Sequence, residues 1–405
     1  MAGPNRSELL GLSLLTAMMA ILLGHIAAGL FSPASTPMDF VFRDGAHRDG
    51  PASLGGKRSS NNVVLRLAFA GDVMQHRRQA ADDFESCYRQ LRPLLAGADL
   101  AAANLEFPVD VTRPVGPPYG SVQFNGSPAH VAALAKAGFA VLSTANNHCF
   151  DQGAAGLALT QLVIRGFGAV PVGSLPGTEN DRPVIIERNG LRIGFFAYTF
   201  RPNSYPDAQG NIRYRDPIWP VHELNFADWT AEYRAEGLEL LGRHLRSARD
   251  ARVDLLVALV HWGREWQFQP TSDQQLAGRD LIDQGFDVVV GSHGHVLNPV
   301  EVYRGRLIAY SLGNLVSDFG PLEARTGAVL RVDLVRRAQG RLEITDFGVI
   351  PVLTEKVSHR VRPVQAEGAA DQTARELAQK VVGAACVFAE PPHPARPEGR
   401  QAGGQ

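Results

Sequence analysis

Cysteine is scarce in this chain, and its basic residues form no cluster. The three cysteines, Cys87, Cys149 and Cys386, are widely separated. This spacing excludes a disulfide framework and a zinc site made of paired cysteines, although one pair could still join in an oxidising compartment. The 40 lysines and arginines stand against 41 acidic residues and include no basic block or stripe. The sequence therefore gives no indication of a nucleic-acid partner.

A long apolar run occurs near the N terminus. Leu9–Phe31 carries no formal charge, is interrupted only by His25 and follows Arg6. It is long enough to span a membrane, which takes about 20 apolar residues. Small-residue stretches near its end match a signal-peptidase site poorly, so an uncleaved membrane anchor over 1–31 is favoured over a cleaved signal. Either reading places the folded domain outside the cytoplasm, facing the periplasm or cell exterior, or secreted after cleavage.

The rest of the chain divides into three parts. Residues 32–62 are rich in Gly, Ser, Pro, Asn and Arg and predict a flexible linker. Residues 63–363 predict the folded domain, and 364–405 predict one short helix followed by a mostly disordered tail. Within the domain, 108–127 is an irregular, proline-rich excursion, and loops of this length are often functional. The aromatic-rich segment 201–227 is either a substrate-wall insertion or a structured surface loop.

Short apolar runs alternate with helical patterns inside the domain, which predicts the α/β class. β-branched and apolar runs predict strands over Val63–Ala70, Leu100–Ala103, Phe139–Thr144, Val253–Val260 and Val288–Val290. Apolar spacing predicts helices over 82–97, 130–138, 153–166, 228–249 and 271–285. Asn189-Gly190 predicts a type I′ hairpin turn within 184–199. Further strands are predicted over 308–312, 327–335 and 342–352.

Each of the five predicted strands of this alternation ends near a side chain that can bind a metal. The residues are Asp72, Glu106, His148, His261 and the pair His293 and His295. In open α/β sheets, ligands bind beyond the carboxyl ends of the strands. The alternatives are ordinary ones, namely surface histidines, a solvated loop carboxylate or a helix-capping aspartate. Their recurrence favours a site for a divalent hydrolytic ion such as manganese, iron or zinc.

Two of these strand ends carry additional candidates. Asn147 offers a carbonyl oxygen directly beside the His148 imidazole. His76 lies four residues after Asp72, which is roughly 13 Å in an extended chain at ~3.3 Å per residue. We therefore predict that His76 reaches the site only through a turn beginning near Met74, as a second-metal ligand or substrate contact.

Two carboxylates are candidates for supporting a histidine. Asp151 either caps the helix over 153–166 or orients His148 through its second ring nitrogen. Glu265, four residues after His261, either orients a histidine or pairs with a neighbouring arginine. We assign catalytic roles to His148, Asp151 and Glu265 on this basis.

Six short motifs occur in one order along residues 65–335. They are Gly71-Asp72-Val73-Met74, Asn104-Leu105-Glu106, Asn146-Asn147-His148-x-x-Asp151-x-Gly153, His261-Trp262-Gly263-x-Glu265, Gly291-Ser292-His293-x-His295 and Ser311-Leu312-Gly313-Asn314. This ordered set resembles the CapA family of poly-γ-glutamate capsule biosynthesis proteins, which is related to the calcineurin-like metallophosphoesterases. The resemblance implies a metallophosphatase-like fold, with two packed β-sheets flanked by helices and metal at the sheet edge. It also implies a membrane-anchored position outside the cytoplasm.

The resemblance further implies site residues. Asp72, Asn147, His148 and His261 would contact metal or substrate, and the Gly291-to-His295 block resembles the G-H-x-H element of the phosphoesterases. Two features depart from the phosphoesterase pattern. Met74 stands where that pattern has a histidine, and Asn104-Leu105-Glu106 stands near the place of its G-D-x-x-D block. One or two divalent ions are therefore expected.

These observations lead to two hypotheses from different classes. In the first, a metal-bound hydroxide attacks a phosphoester or a γ-glutamyl amide, with His148 as ligand or proton donor. In the second, the chain is a non-catalytic subunit that binds an anionic polymer within a capsule synthase or export complex. Stoichiometric transition-metal content would separate the hydrolase from the binding subunit.

Overall fold

The computed structural model describes residues 63–81, 83–116, 123–174, 180–203, 221–224, 229–338 and 340–388. The predicted anchor and linker, most of the 201–227 segment and the end of the tail lie outside these ranges. No helix within the described ranges combines the length and the apolar character that crossing a bilayer requires.

The first sheet has eight strands. Its bounds are β1 (Val63–Val73), β2 (Leu100–Leu105), β3 (Phe139–Ser143), β4 (Val170–Val172), β11 (Asn314–Val316), β12 (Thr326–Arg336), β13 (Leu342–Thr354) and β14 (Val361–Pro363). The strand order is β14-β13-β12-β1-β2-β3-β4, and β11 pairs with the end of β1. Strands β1 to β4 run parallel, so their carboxyl ends lie along one edge of the sheet.

The second sheet has six strands. They are β5 (Val184–Arg188), β6 (Leu191–Thr199), β7 (Leu255–His261), β8 (Val288–Ser292), β9 (Val300–Tyr303) and β10 (Arg306–Ala309), in the order β5-β6-β7-β8-β10-β9. Strands β6, β7, β8 and β10 are parallel. The predicted hairpin turn is present, with φ of 52° at Asn189 and 71° at Gly190, as a type I′ turn requires.

Helices flank the two sheets, and the one nearest the C terminus adds Ala378 and Val382 to the apolar layer between them. They are α1 (Phe84–Tyr88), α2 (Arg92–Ala96), α3 (Pro128–Ala137), α4 (Gly153–Gly166), α5 (Ala231–Asp250), α6 (Ser272–Gln284), α7 (Leu322–Arg325) and α8 (Ala369–Val382). Short 3-10 segments cover Arg77–Ala81 and Gly383–Ala385.

Three apolar layers follow from this stacking. Alternate residues of β1 face opposite sides, so Leu65 and Phe69 pack between the sheets while Ala68 packs under the helices of the first sheet. A third cluster, including Leu241 of α5 and Leu281 of α6, covers the outer face of the second sheet. The predicted fold class is confirmed as α/β, with two packed sheets flanked by helices.

The structure refines the predicted elements at three places. The helix predicted over 82–97 is two short helices, because Pro93, in the first turn of the second one, has no backbone N–H to continue the first. The strand predicted over 308–312 ends at Ala309, and the chain then crosses to the first sheet as β11. The short strand β4 has no counterpart in the sequence prediction.

Candidate metal centre

The carboxyl ends of five parallel strands bring the predicted site residues to one edge of the sandwich. Asp72 lies near the end of β1, Glu106 directly follows β2, and His261 is the last residue of β7. The other members follow β3 and β8, and all members of the cluster are buried: Asp72, Glu106, Asn147, His148, His261, His293 and His295.

Site residues themselves join the two sheets at this edge. The backbone N–H of His293, after β8, donates to Asp72 Oδ2 over 3.0 Å. The amide oxygen of Asn147, after β3, lies 2.9 Å from His261 Nε2 at the end of β7. The positions of the two sheets therefore determine the distances between the candidate ligands.

Two groups of side chains have the proximity that metal binding requires. One contains Asp72, Glu106 and His261, and the other contains Glu106, His293 and His295; in each group the ligand atoms lie within 4.8 Å of one another. Glu106 Oε1 is 3.4 Å from His261 Nε2 and 3.9 Å from His295 Nε2. Because Glu106 belongs to both groups, the arrangement is compatible with one ion or with two ions that share this carboxylate.

Glu106 provides the test of whether these residues fit a cation. Its side chain is fully buried, and neither carboxylate oxygen accepts a hydrogen bond from any residue that the structure describes. Burial, together with the charge of Asp72, raises the pKa of Glu106 well above its usual range. A buried carboxylate without a partner is strongly unfavourable, and a bound cation removes this penalty. The donor set therefore fits a divalent metal.

The surrounding charges set the protonation of the candidate ligands, and the hydrogen bond and charge of Asp72 outweigh burial to raise the pKa of His295. Burial lowers the pKa of His261 far below its usual value and that of His293 to about 3, so both rings are neutral and able to bind metal. Burial alone would raise the pKa of Asp72, but the hydrogen bond and charge of His295 outweigh it and hold that pKa low. Asp72 is thus an anionic candidate ligand.

Three polar residues that the sequence prediction did not assign support the candidate ligands. Asn104 Nδ2 donates to Asp72 Oδ1 over 2.7 Å. Ser292 Oγ lies 2.9 Å from His261 Nδ1, and Asn314 Oδ1 lies 2.9 Å from His295 Nδ1. Such partners fix the orientation of ligating rings. Each of the three residues lies inside one of the six motifs, and this was the signal that could have identified them.

The backbone of the two paired histidines is strained. His293 has φ of 88° and His295 has φ of 54°, which residues other than glycine rarely adopt. The ring of Phe200, directly after β6, packs 4.7 Å from the ring of His293. Strain of this kind persists only where surrounding contacts enforce it, and it concentrates at functional sites.

Asp151 contacts His148 as one of the two predicted alternatives requires. Asp151 Oδ2 lies 2.7 Å from His148 Nδ1 and accepts a hydrogen bond from the backbone N–H of Phe124 over 2.7 Å. Gln152, not Asp151, occupies the N-cap position of α4. The geometry therefore favours Asp151 as the residue that orients His148.

His76 lies at the rim of the cluster, outside both groups of candidate ligands. Residues 74–76 form neither helix nor strand, and a 3-10 turn begins at the next residue. The His76 ring packs edge-on against Phe124 and Phe319, at 5.2 and 4.9 Å. These two rings also pack against His148 and His295, respectively. The role of His76 as a ligand or substrate contact stays a prediction.

Glu265 lies on the solvent side of the same cluster. Its side chain is 45% exposed, and Oε1 is 3.9 Å from His295 Nε2. This position places Glu265 beside the His293/His295 pair, while Asp151 is the carboxylate that contacts His148. Its catalytic role stays a prediction.

Comparison with known proteins gives consistent matches. The model of the family described as bacterial capsule synthesis protein PGA_cap matches residues 66–319, more than half of the chain. The PGA biosynthesis protein CapA of Bacillus subtilis is 27% identical over 322 residues, covering 77% of this chain and 79% of that protein. The capsule biosynthesis protein CapA of Bacillus anthracis is 26% identical over 303 residues, covering 71% and 68%.

Two more distant similarities complete the comparison. A probable polyglutamine synthesis accessory protein of Mycobacterium tuberculosis is 26% identical over 202 residues, covering 49% of this chain and 50% of that protein. The solved structure of TT1561 of Thermus thermophilus is 13% identical with a TM-score of 0.35, covering 69% and 97% of the two chains. A TM-score this low does not support a fold assignment, which rests instead on the sheet order of this chain. Given the extent of the family match, the chain belongs to the bacterial capsule synthesis protein PGA_cap family.

Proposed function

We propose that this protein is an exported, membrane-anchored, metal-dependent hydrolase of capsule or poly-γ-glutamate biosynthesis. Its substrate class is a phosphoester or a γ-glutamyl amide within an anionic polymer or its precursor. The observation that carries the proposal is the buried Glu106 carboxylate, which lacks a hydrogen-bond donor among the described residues and lies among His261, His293 and His295. The names of the Bacillus relatives support the polymer assignment.

The chain offers ligands for one or two ions. Asp72, Glu106 and His261 would hold the first ion, and Glu106, His293 and His295 the second. A bound divalent ion lowers the pKa of a coordinated water towards neutrality and stabilises negative charge on a phosphoryl or carbonyl oxygen. Mixed carboxylate and imidazole ligands suit manganese, iron or zinc.

His148 is the residue best placed to transfer a proton. Its Nδ1 contacts the Asp151 carboxylate, which leaves Nε2 to exchange a proton with the substrate. Cleavage of an amide or phosphoester requires protonation of the leaving amine or alkoxide. The carboxylate of Asp151 holds the ring in one orientation.

Asp151→Asn tests this assignment. We expect kcat to fall by about 10²-fold, because the substitution removes the carboxylate that accepts from the His148 ring and holds its orientation. The metal content should stay unchanged, because Asp151 belongs to neither ligand group. Steady-state kinetics paired with metal analysis would measure both quantities. Loss of metal in this variant would assign Asp151 to the metal centre and contradict the proton-transfer role.

The alternative function is that of a binding subunit, which holds an anionic polymer for a capsule synthase or export complex. The mycobacterial relative is named a probable accessory protein of polyglutamine synthesis, which favours this class of function. A binding subunit needs cationic or metal-centred contacts to the polymer but no proton donor. Retention of polymer binding without turnover would select it.

One experiment addresses both functions. The full-length protein, purified without chelator, would be analysed for bound metal and assayed on phosphoesters and on poly-γ-glutamate. Glu106→Gln would test the centre, and Glu236→Gln, on the exposed side of α5, is the matched control. We expect metal and hydrolysis in the wild type and in the control, and neither in Glu106→Gln. Metal-free protein that hydrolyses neither substrate class would overturn the hydrolase proposal.

The cellular position requires its own test. The proposed anchor, Leu9–Phe31, would place the domain outside the cytoplasm. Fractionation of expressing cells should recover the full-length chain with membranes, and externally added protease should digest the domain. Recovery of the domain in the cytoplasm would contradict export.

A further inference from the structure

A second group of buried histidines lies on the outer face of the second sheet, beneath α5. His244 of α5 is completely buried, and its ring stacks on Phe196 of β6 at 4.3 Å. The ring of His222 lies 4.4 Å from that of His244. The Tyr198 hydroxyl, also on β6, lies 2.9 Å from His244 Nδ1. This group shares no residue with the centre at the strand ends.

Asp181 brings a carboxylate to the two imidazoles. Its Oδ1 lies 3.5 Å from His244 Nε2 and 3.8 Å from His222 Nε2, and the three ligand atoms fall within 4.8 Å of one another. A tetrahedral zinc ion with bonds of ~2.0–2.1 Å holds its ligand atoms about 3.3 Å apart. The observed separations are close to this value.

One nitrogen of the His244 ring lacks a hydrogen-bond partner among the described residues. Nε2 is buried and has no hydrogen-bond partner among the described residues, and it is the atom that faces Asp181. The contact between Nδ1 and Tyr198 Oη is the kind of outer contact that orients a metal-binding imidazole. The Asp181 side chain is 51% exposed, which gives an ion access from solvent.

The protonation states also suit a metal. Burial lowers the pKa of His222 and lowers that of His244 to about 2, so both rings are neutral at pH 7. His222 Nε2 also lies 2.8 Å from the backbone oxygen of Asn180 and donates to it when no ion is bound. A metal at Nε2 requires this proton to move to Nδ1, so the neutral ring binds an ion without net release of a proton.

We propose that Asp181, His222 and His244 form a second divalent metal site, with zinc as the expected ion. Two imidazoles and one carboxylate are a zinc ligand set, and a solvent molecule can complete it. The ion would join α5 to two chain segments that are distant in sequence. One of these segments already pairs with β6, since the backbone N–H of Thr199 donates to the His222 oxygen over 3.0 Å. The site therefore has a structural role, independent of the hydrolase proposal.

Equilibrium dialysis of the full-length protein against zinc, followed by elemental analysis, tests this site. Asp181→Ala should bind one zinc fewer per chain than the wild type, and the zinc-dependent rise in Tm should shrink. The matched control is Asp250→Ala, an exposed aspartate at the end of α5, which should keep wild-type stoichiometry. His222→Asn should reproduce the loss.

Two outcomes would overturn the proposal. One is equal zinc stoichiometry in the wild type, Asp181→Ala and His222→Asn. The other is a folded Glu106→Gln/His295→Ala variant that binds no zinc, because disabling the strand-end centre should leave this site loaded. Asp181 is half-exposed, so its alanine variant should fold even if substitutions of the buried histidines do not.

Discussion

At Glu106, the requirements of folding and of metal binding oppose each other. Glu106→Gln should raise the free energy of unfolding of metal-free protein by about 1–3 kcal/mol, because it replaces an unpartnered buried acid with a neutral amide. The same substitution should abolish the extra stability that added metal gives. Urea denaturation with chelator and with Mn²⁺ would measure both effects. Lower stability of the variant in chelator would contradict this account.

His130 offers a separate pH-dependent test, away from the candidate ligands. It is buried, with its ring nitrogens against the Tyr88 hydroxyl and the Gln75 amide oxygen, and burial lowers its pKa to about 3. Between pH 6.5 and 3 the unfolded chain binds a proton that the folded chain does not. Stability is therefore fully present above pH 6.5 and falls with pH by up to about 1.4 kcal/mol per unit from this group.

His130→Gln removes that titration while keeping hydrogen-bonding capacity. Urea denaturation from pH 6.5 to 4.5 should show a shallower loss of stability in the variant than in the wild type. The offset between the two proteins at pH 7.5 is the control for packing changes. Parallel curves over the acidic range would show that His130 does not titrate between the two states.

Residue types at the strand ends were readable from the sequence, but their pairings were not. The run of apolar residues before Asp72 or His261 locates a strand end, and parallel strands bring such ends together. Glu106 belongs to both ligand groups because of the distances between the two sheets, and no local sequence pattern predicts those distances. Asp181 was not predicted for the same reason, because its partners His222 and His244 lie 41 and 63 positions further along the chain.

Among the elements, the contact between β1 and the β11 segment leaves no room for a side chain. A Cβ on Gly71 would lie 1.8 Å from the backbone oxygen of Gly313, which accepts the N–H of Asp72 over 2.9 Å. Gly71→Ala should destabilise the protein by about 1–3 kcal/mol or more and reduce metal affinity, because the displaced backbone carries Asp72. Thermal denaturation and metal titration would measure these losses.

Gly320→Ala is the matched control for that substitution. Apart from its two chain neighbours, no described residue has an atom within 4 Å of a Cβ built at Gly320, so the Tm and metal affinity of this variant should stay near wild type. Equal stability of the two alanine variants would show that the β1–β11 contact tolerates separation.

The structure confirms those predicted elements that depend on the local sequence alone. The strong apolar run of β7 and the Asn189-Gly190 turn both formed as predicted. Local patterns failed where long-range pairing decided the outcome. The segment after Ala309 leaves one sheet and pairs with β1 of the other, and nothing in its apolar pattern distinguishes that crossing from a continued strand.

At the scale of the whole molecule, a metal that binds only the folded state should stabilise it by mass action. At a free concentration 100 times Kd, the gain is about 2.7 kcal/mol. His293→Ala or His295→Ala should therefore lower metal content and thermal stability together. Scanning calorimetry with and without chelator would show the wild type approaching the variants when metal is removed. Unchanged metal occupancy in both single variants would remove these residues from the ligand set.

The centre also spans the boundary between two independently hydrogen-bonded sheets. Its candidate ligands come from β1 and β2 on one side and from β7 and β8 on the other. A sliding displacement of about 1 Å between the sheets would move the two halves out of bonding range of a shared ion. The affinity for a metal ion would therefore depend on how the two sheets are aligned with each other. Substitutions of side chains such as Phe69 and Leu259, buried in the layer between the sheets, would therefore change metal affinity without contacting the ion.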